Sequence, residues 1–315
     1  MEVLYDTTLV EDVVFREIKR REAIGKDSDV KDYYDRHRKI YERREDSREK
    51  LFEKFHEEFF LKFGFGKPIL DVLSEFKEFD NKIKIIAVFK ALIVSQEEAS
   101  ISNDSGKIGL RIHPEQFFIQ PKLEAFIRHE LKHISDMLDG NFKYRKYNKT
   151  GAVSPAQENA IRSRYKIIWD IFIDGRIARS RKETVVLREE TFAEFRELYR
   201  SIPSSHLDEI FEALWNAEKL THEEILAMAR DFKVLIKKYS SIDEKELSED
   251  MIALPGSPCP ICKFPTFDWS KNLFEEKELV LTAIKKDYPW WSPEKGLCGR
   301  CLEVYKLRRE WLGVS

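Results

Sequence analysis

Residues 129–133 read H-E-L-K-H, which has the residue types and spacing of a metal site that hydrolyses peptide bonds. They lie in a segment where Pro121 suits the first turn of a helix and Gly140 suits the residue just past its end. On a helix, His129 and His133 are one turn apart and point the same way, so both imidazoles can bind one Zn²⁺. Glu130 lies beside them as a candidate general base.

A pair of histidines at this spacing can also be a buried pair that is satisfied by hydrogen bonds alone. Phe126, Ile134 and Met137 share the helical stripe with the histidines, so the pair is expected to face inward, where polar groups need partners. A metal ion meets that need for both imidazoles at once, and the pattern therefore favours a metal site.

A catalytic zinc usually takes three protein ligands and one water. No histidine follows His133 until His206, so the next candidates are Asp170 and Asp174, four residues apart on the next predicted helix. Two carboxylates in an apolar stripe need a cation or hydrogen-bond donors, and one Asp could bind the metal while the other orients a ligating histidine. The alternative is an ordinary ion pair, for which Lys166 lies one turn before Asp170.

A sheet, an H-E-x-x-H helix and a second helix with D-x-x-x-D together resemble the compact zincin metallopeptidases, over about residues 80–180. The pattern is most similar to the gluzincins and minigluzincins, where a downstream E-x-x-x-D supplies the third zinc ligand and then a supporting Asp. The resemblance implies that Asp170 binds zinc, that Asp174 supports it and that a peptide or protein is the substrate. The Asp side chain is shorter than the usual Glu, which leaves open that Asp174 is the ligand.

All four cysteines lie in the last sixty residues, in two C-x-x-C pairs: Cys259 with Cys262, and Cys298 with Cys301. Four thiolates satisfy tetrahedral Zn²⁺ and close it to water, so this pattern predicts a structural zinc in addition to the catalytic one. A predicted helix after Cys301 favours a treble-clef-like finger or a zinc ribbon. Residues 1–6 lack the basic and apolar regions of a signal peptide, so we expect no disulfides and predict a cytoplasmic location.

The composition of the chain excludes some classes of protein. Lys and Arg total 55 and Asp and Glu total 57 in 315 residues, a net charge of −2 that gives no general attraction to nucleic acid. No run of 18 apolar residues is present, so no membrane span is predicted. Abundant Lys, Arg and Glu are often seen in proteins of thermophiles.

The zinc module is the part of the chain for which nucleic acid is a candidate partner, because its side chains are slightly basic. SprT-like proteases are similar in layout, since they also join an H-E-x-x-H domain to a C-terminal zinc ribbon and act on DNA-bound proteins. This chain lacks their downstream third histidine.

The patterns together predict an α+β protein with four regions: a helical region 1–80, a zincin-like core 81–185, a helical extension 186–250 and a four-cysteine zinc module 251–315. Residues 82–94, 99–103 and 108–113 favour strands of a small, largely antiparallel sheet before the H-E-x-x-H helix, although 82–94 could be partly helical. The last of these strands is expected to offer a backbone edge to an extended peptide.

The rival interpretation is a non-catalytic adaptor, in which the zincin core is a scaffold and the four-cysteine module binds a partner. Glu130 argues against it, because a scaffold does not need that carboxylate. Within the enzyme interpretation, four residues are candidates for stabilising the oxyanion: Tyr144, Tyr147, Tyr165 and His206.

Overall fold

The computed structural model describes residues 1–25, 27–102, 106–145, 155–199, 202, 204–241, 257–266, 268–270, 273 and 276–311. The chain divides into two compact units: Met1–Phe142 with Ile177–Val185, and Lys143–Arg176 with Val186–Ser315. Helices predominate and a small sheet precedes the H-E-x-x-H helix, which confirms the predicted mixture of elements. Tyr147 and residues 242–250 of the predicted link lie outside the described residues.

The first unit begins with a strand and four helices, and the remaining strands and the motif helix follow. In chain order its elements are β1 (Glu2–Tyr5), α1 (Thr7–Ala23), α2 (Asp27–Tyr41), α3 (Glu45–Lys62), α4 (Lys67–Leu73), β2 (Ile85–Lys90), β3 (Glu98–Ile101), β4 (Lys107–Ile112) and α5 (Gln120–Leu138). Residues 82–94 therefore contain strand β2 and no α-helix; only Val94, the last of them, begins a short 3-10 turn.

The sheet has the order β1-β2-β4-β3, with β1, β2 and β4 mutually parallel and β3 antiparallel to β4. The prediction of a largely antiparallel sheet was therefore wrong. Four helices connect β1 to β2, and such a long connection allows parallel pairing. The chain then runs out to β3 at the edge and returns as β4 beside β2, which makes β2 and β4 parallel as well.

Strand β4 lies inside the sheet, between β2 and β3, so the expectation that it offers a free edge was also wrong. Its side chains Ile108, Leu110 and Ile112 are buried, at 1%, 0% and 0% exposure, as expected of a strand with one face on the core. The edge strands of this sheet are β1 and β3.

Helix α5 packs one apolar stripe into the core of the first unit. Leu123, Ile127, Leu131 and Ile134 are fully buried and follow the spacing of three or four residues that places side chains on one face. Arg128 is also buried, and its guanidinium makes two hydrogen bonds of 2.8 and 2.9 Å to the carboxylate of Glu75. Such a two-point ion pair helps to fix the helix immediately before His129.

The second unit is helical and ends in the cysteine module. Its elements are α6 (Pro155–Arg179, of which the last three residues belong to the first unit), α7 (Arg188–Leu198), α8 (Ser204–Trp215), α9 (His222–Arg230), α10 (Phe232–Tyr239), β5 (Ser257–Pro258), β6 (Pro265–Thr266), α11 (Glu278–Asp287) and α12 (Gly299–Trp311). The cysteine module has a core of its own, which includes Leu273, Val280, Ile284, Trp291 and Leu302.

Candidate metal centres

Helix α5 brings the two motif histidines together. The Nε2 atoms of His129 and His133 lie 3.2 Å apart, and the ring centroids are 4.9 Å apart with the planes at 72°. His129 is buried, at 8% exposure, and His133 is half-buried. Both rings thus direct the same nitrogen to one point at the margin of the core.

This separation fits two ligands of one tetrahedral ion. Zn–N bonds of about 2.0–2.1 Å at the tetrahedral angle place two ligand nitrogens about 3.3–3.4 Å apart. The two imidazoles alone would need one Nε2 to carry a proton and the other to accept it. A metal uses both nitrogens as electron-pair donors, so the observed geometry fits a zinc site.

Helix α6 supplies a carboxylate to the same group. The ligand atoms of His129, His133 and Asp170 lie within 4.8 Å of one another, so these residues could hold a metal ion. Asp174 is not in that group; it is buried, at 2% exposure. Two imidazoles and one carboxylate are a ligand set of catalytic zinc sites, which leave a further position for water.

The ion pair that was the alternative for Asp170 is also present. Lys166 Nζ lies 2.5 Å from Asp170 Oδ2, and the two side chains are 74% and 11% exposed. A lysine so exposed gives up little hydration, and such pairs contribute little free energy. The pair engages Oδ2, and a carboxylate has a second oxygen for metal binding.

Glu130 is half-buried and does not belong to the ligand group. Its Oε2 accepts a hydrogen bond of 2.7 Å from the backbone N–H of Ala99, in edge strand β3. Nothing in the sequence indicated this contact, because a backbone amide has no residue type to recognise and the two residues are 31 positions apart.

The four cysteines form a second group whose sulfur atoms all lie within 4.8 Å of one another. Cys259 Sγ is 4.0 Å from Cys301 Sγ, and Cys262 Sγ is 3.8 Å from Cys298 Sγ. Zn–S bonds of about 2.3 Å at the tetrahedral angle require sulfurs about 3.8 Å apart. The four residues are free thiols and could together hold a metal ion, as the spacing predicted.

Two different local structures supply the sulfurs. The first pair lies in the β5–β6 hairpin, where Lys263 has a positive φ of 63° and its N–H donates to the Cys259 carbonyl. The second pair lies at the start of α12, where the Cys301 N–H points to Cys298 Sγ at 3.4 Å. A hairpin followed by a helix favours the treble-clef alternative over a ribbon built from two hairpins.

The environment of the thiols differs among the four. Burial raises the pKa of Cys298 and of Cys301. At Cys259 burial acts in the same direction, but N–H groups of Cys262, Cys298 and Ile261 outweigh it and lower the pKa of this thiol. A zinc ion bound by this group would therefore displace protons from the thiols with raised pKa.

Three of the four oxyanion candidates lie in the second unit among the described residues. The Tyr165 hydroxyl is 2.7 Å from His222 Nδ1, and the Tyr144 ring lies 5.2 Å from the same histidine. Both tyrosines also contact Trp169, which precedes Asp170. His206 is instead 2.7 Å from the Ser240 hydroxyl. His222 is buried, and burial lowers its pKa. The sequence patterns did not single out this histidine, because no motif surrounds it.

Comparisons with known proteins identify no relative: no protein-family model, no curated protein and no solved structure matches this chain. Within the described part of the chain, none of the helices is both long enough and apolar enough to span a membrane.

Proposed function

We propose that this chain is a zinc-dependent metallopeptidase whose substrate is a peptide or protein. The observation that carries the proposal is the pair of Nε2 atoms, 3.2 Å apart on His129 and His133, with a carboxylate of Asp170 in the same ligand group. The chain resembles zincins in its motif, and the ligand set supports a site of that kind.

In this proposal His129, His133 and Asp170 bind the ion, and Asp174 supports a ligand from its buried position on the same helix. Zn²⁺ bound there would polarise the scissile carbonyl and lower the pKa of a water molecule toward neutrality. The half-buried Glu130 is not one of the three residues of the ligand group, so its carboxylate can transfer protons.

Glu130 acts as the general base and then as the general acid. Its carboxylate takes a proton from water as the water oxygen bonds to the carbonyl carbon of the substrate. The same proton passes to the nitrogen of the leaving amine as the C–N bond breaks. The second proton of the water stays on its oxygen, so the products are a carboxylic acid and an amine, and Glu130 returns to its starting state.

The four-cysteine module holds a second zinc, which is structural in this proposal, because four thiolates leave no position for water. A site of four thiolates also requires a reducing compartment, and we therefore propose a cytoplasmic location. Nucleic acid stays a candidate partner of this module alone.

Hydrolysis of fluorescently labelled, unfolded casein tests the proposal. We expect Glu130→Gln to abolish cleavage while keeping zinc and fold, and Glu124→Gln, six residues earlier on the same helix, to cleave like the wild type. Equal cleavage by Glu130→Gln and the wild type would reject the mechanism.

Metal analysis separates the enzyme from the adaptor. About two zinc per chain is expected for the enzyme, and one for an adaptor that carries metal only in its four-cysteine module. The same analysis distinguishes zinc from iron(II), which two histidines and a carboxylate also bind.

A further inference from the structure

The carboxylate of Glu130 is tied to the sheet by a single backbone amide. Ala99 N–H donates to Glu130 Oε2 at 2.7 Å, joining edge strand β3 to helix α5 within the first unit. Glu130 has three rotatable side-chain bonds, and a fixed oxygen restricts all of them. The oxygen that is held is Oε2 of Glu130, which lies between His129 and His133 in the sequence.

The Ala99 amide is not needed for the sheet. Ser102 N–H donates to the Lys107 carbonyl, and hydrogen-bonded pairs alternate along an antiparallel ladder, so Ser100 also faces β4. Ala99 and Ile101 therefore direct their N–H groups away from β4. An outward-facing amide of an edge strand normally donates a hydrogen bond to water, whereas the Ala99 amide donates to Glu130.

We infer that the Ala99 amide is a positioning group for the general base, an inference that rests on the proposed peptidase function. With Oε2 held by the N–H, Oε1 is the oxygen that takes the proton from water. The hydrogen bond survives that step, because Oε2 of a carboxylic acid protonated on Oε1 is a carbonyl oxygen and still accepts from an N–H. The anchor thus holds the side chain in one place while the proton arrives on Oε1 and leaves for the amine.

Positioning has a clear kinetic signature. A base must lie within about 2.6–3.2 Å of the group whose proton it takes, and a misplacement of about 1 Å can cost 100-fold in rate. Loss of the anchor should lower kcat, whereas a contact that only joins β3 to α5 would change stability and leave kcat unchanged. The two roles can therefore be separated by experiment.

Ala99→Pro removes the N–H, and an edge strand tolerates proline where the amide faces outward. Ile101→Pro is the matched control, because it removes an outward-facing amide of the same strand that does not contact Glu130. We expect Ala99→Pro to lower kcat by about 10- to 100-fold relative to Ile101→Pro, with KM and zinc content alike in the two variants. Equal kcat values in the wild type and both variants would overturn the inference.

If Ala99→Pro does not fold, replacement of residue 99 by lactic acid exchanges the N–H for an ester oxygen and keeps the methyl side chain. The expected loss of kcat is the same, and an unchanged kcat in this variant also overturns the inference.

Amide hydrogen exchange separates failure of the inference from failure of the proposed function. The Ala99 amide should be protected in the wild type and unprotected in Glu130→Ala, while the Ile101 amide exchanges rapidly in both. If Ala99 exchanges equally fast in both proteins, the anchor does not exist and the inference is wrong whatever the activity. If the anchor exists but Glu130→Gln leaves hydrolysis unchanged, the proposed function fails and the positioning role fails with it.

Discussion

Cys262 and Cys298 are 36 residues apart in the chain, and their sulfur atoms lie 3.8 Å from each other. That distance is far longer than a disulfide bond of about 2.05 Å and equals the edge of a zinc–thiolate tetrahedron. The core around these sulfurs comes from the cysteine module itself, with Trp291 at 1% exposure and its indole N–H bonded to the Gly296 carbonyl. We therefore expect the fold of this module to depend on a metal ion bound by its four sulfurs.

Replacement of Cys298 by Ser should remove one zinc per chain and unfold residues 257–311. A module of this size has a small core, and structural zinc supplies about 10 kcal/mol or more of folding free energy in comparable modules. We expect limited proteolysis to remove the module and to leave a stable N-terminal fragment, which contains the first unit and no cysteine. Survival of the module in the presence of a strong chelator would show that it is not a zinc site.

The two aspartates of α6 should behave differently. Asp170→Ala should remove most of the zinc held by His129 and His133, because its carboxylate belongs to their ligand group. Asp174→Ala should cost roughly 10–100-fold in affinity or activity, as expected of a residue that supports a ligand. Lys166→Met, which breaks the ion pair to Asp170 but removes no ligand, is the control and should keep its zinc. Unchanged zinc in both aspartate variants would place the third ligand elsewhere.

Acidification should destabilise the first unit through His56. Burial lowers the pKa of His56 from 6.5 to about 4, so the unfolded chain binds its proton at a higher pH than the folded one. Stability therefore falls as the pH drops from about 6.5 to 4, by about 3 kcal/mol for this group. His56→Phe, which keeps a ring beside Phe52 and Phe55, should weaken this dependence in urea unfolding followed at several pH values.

Tyr33→Phe is the control for that measurement. It removes the hydroxyl that lies 3.3 Å from His56 Nε2 but keeps the buried imidazole, so the dependence on pH should persist. An equal slope in the wild type and His56→Phe would show that other groups produce the effect.

Arg164 should destabilise the second unit. Its side chain is 5% exposed, its Nε has no hydrogen-bond partner among the described residues, and burial lowers its pKa. A buried guanidinium whose Nε makes no hydrogen bond is costly even beside the Tyr199 ring, 5.5 Å away, so Arg164→Met should raise the free energy of unfolding by about 1 kcal/mol. Arg128→Met provides the contrast, because it removes both hydrogen bonds from this guanidinium to Glu75. We expect it to lower the free energy of unfolding by about 2 kcal/mol. A comparable loss in both variants would show that Arg164 is paired in solution.

The sequence determined the local features of both candidate metal centres. A spacing of four residues fixes that His129 and His133 share one face of any helix, and Phe126 and Met137 on the same side predict that this face turns inward. Each C-x-x-C likewise brings two sulfurs together within one turn of chain. Strands β3 and β4 could be predicted because β-branched residues and turn residues act over a few positions.

Only the tertiary structure decided how distant segments meet. The strand Glu2–Tyr5 pairs with a partner more than eighty residues away, which makes the sheet mostly parallel and places β4 in its interior. Asp170 and Asp174 are equivalent in the sequence pattern, and only packing puts Asp170 in the group with the histidines. The bond from Ala99 to Glu130 uses a backbone amide. Such contacts depend on where whole elements lie, and residue type and spacing carry information only about neighbours along the chain.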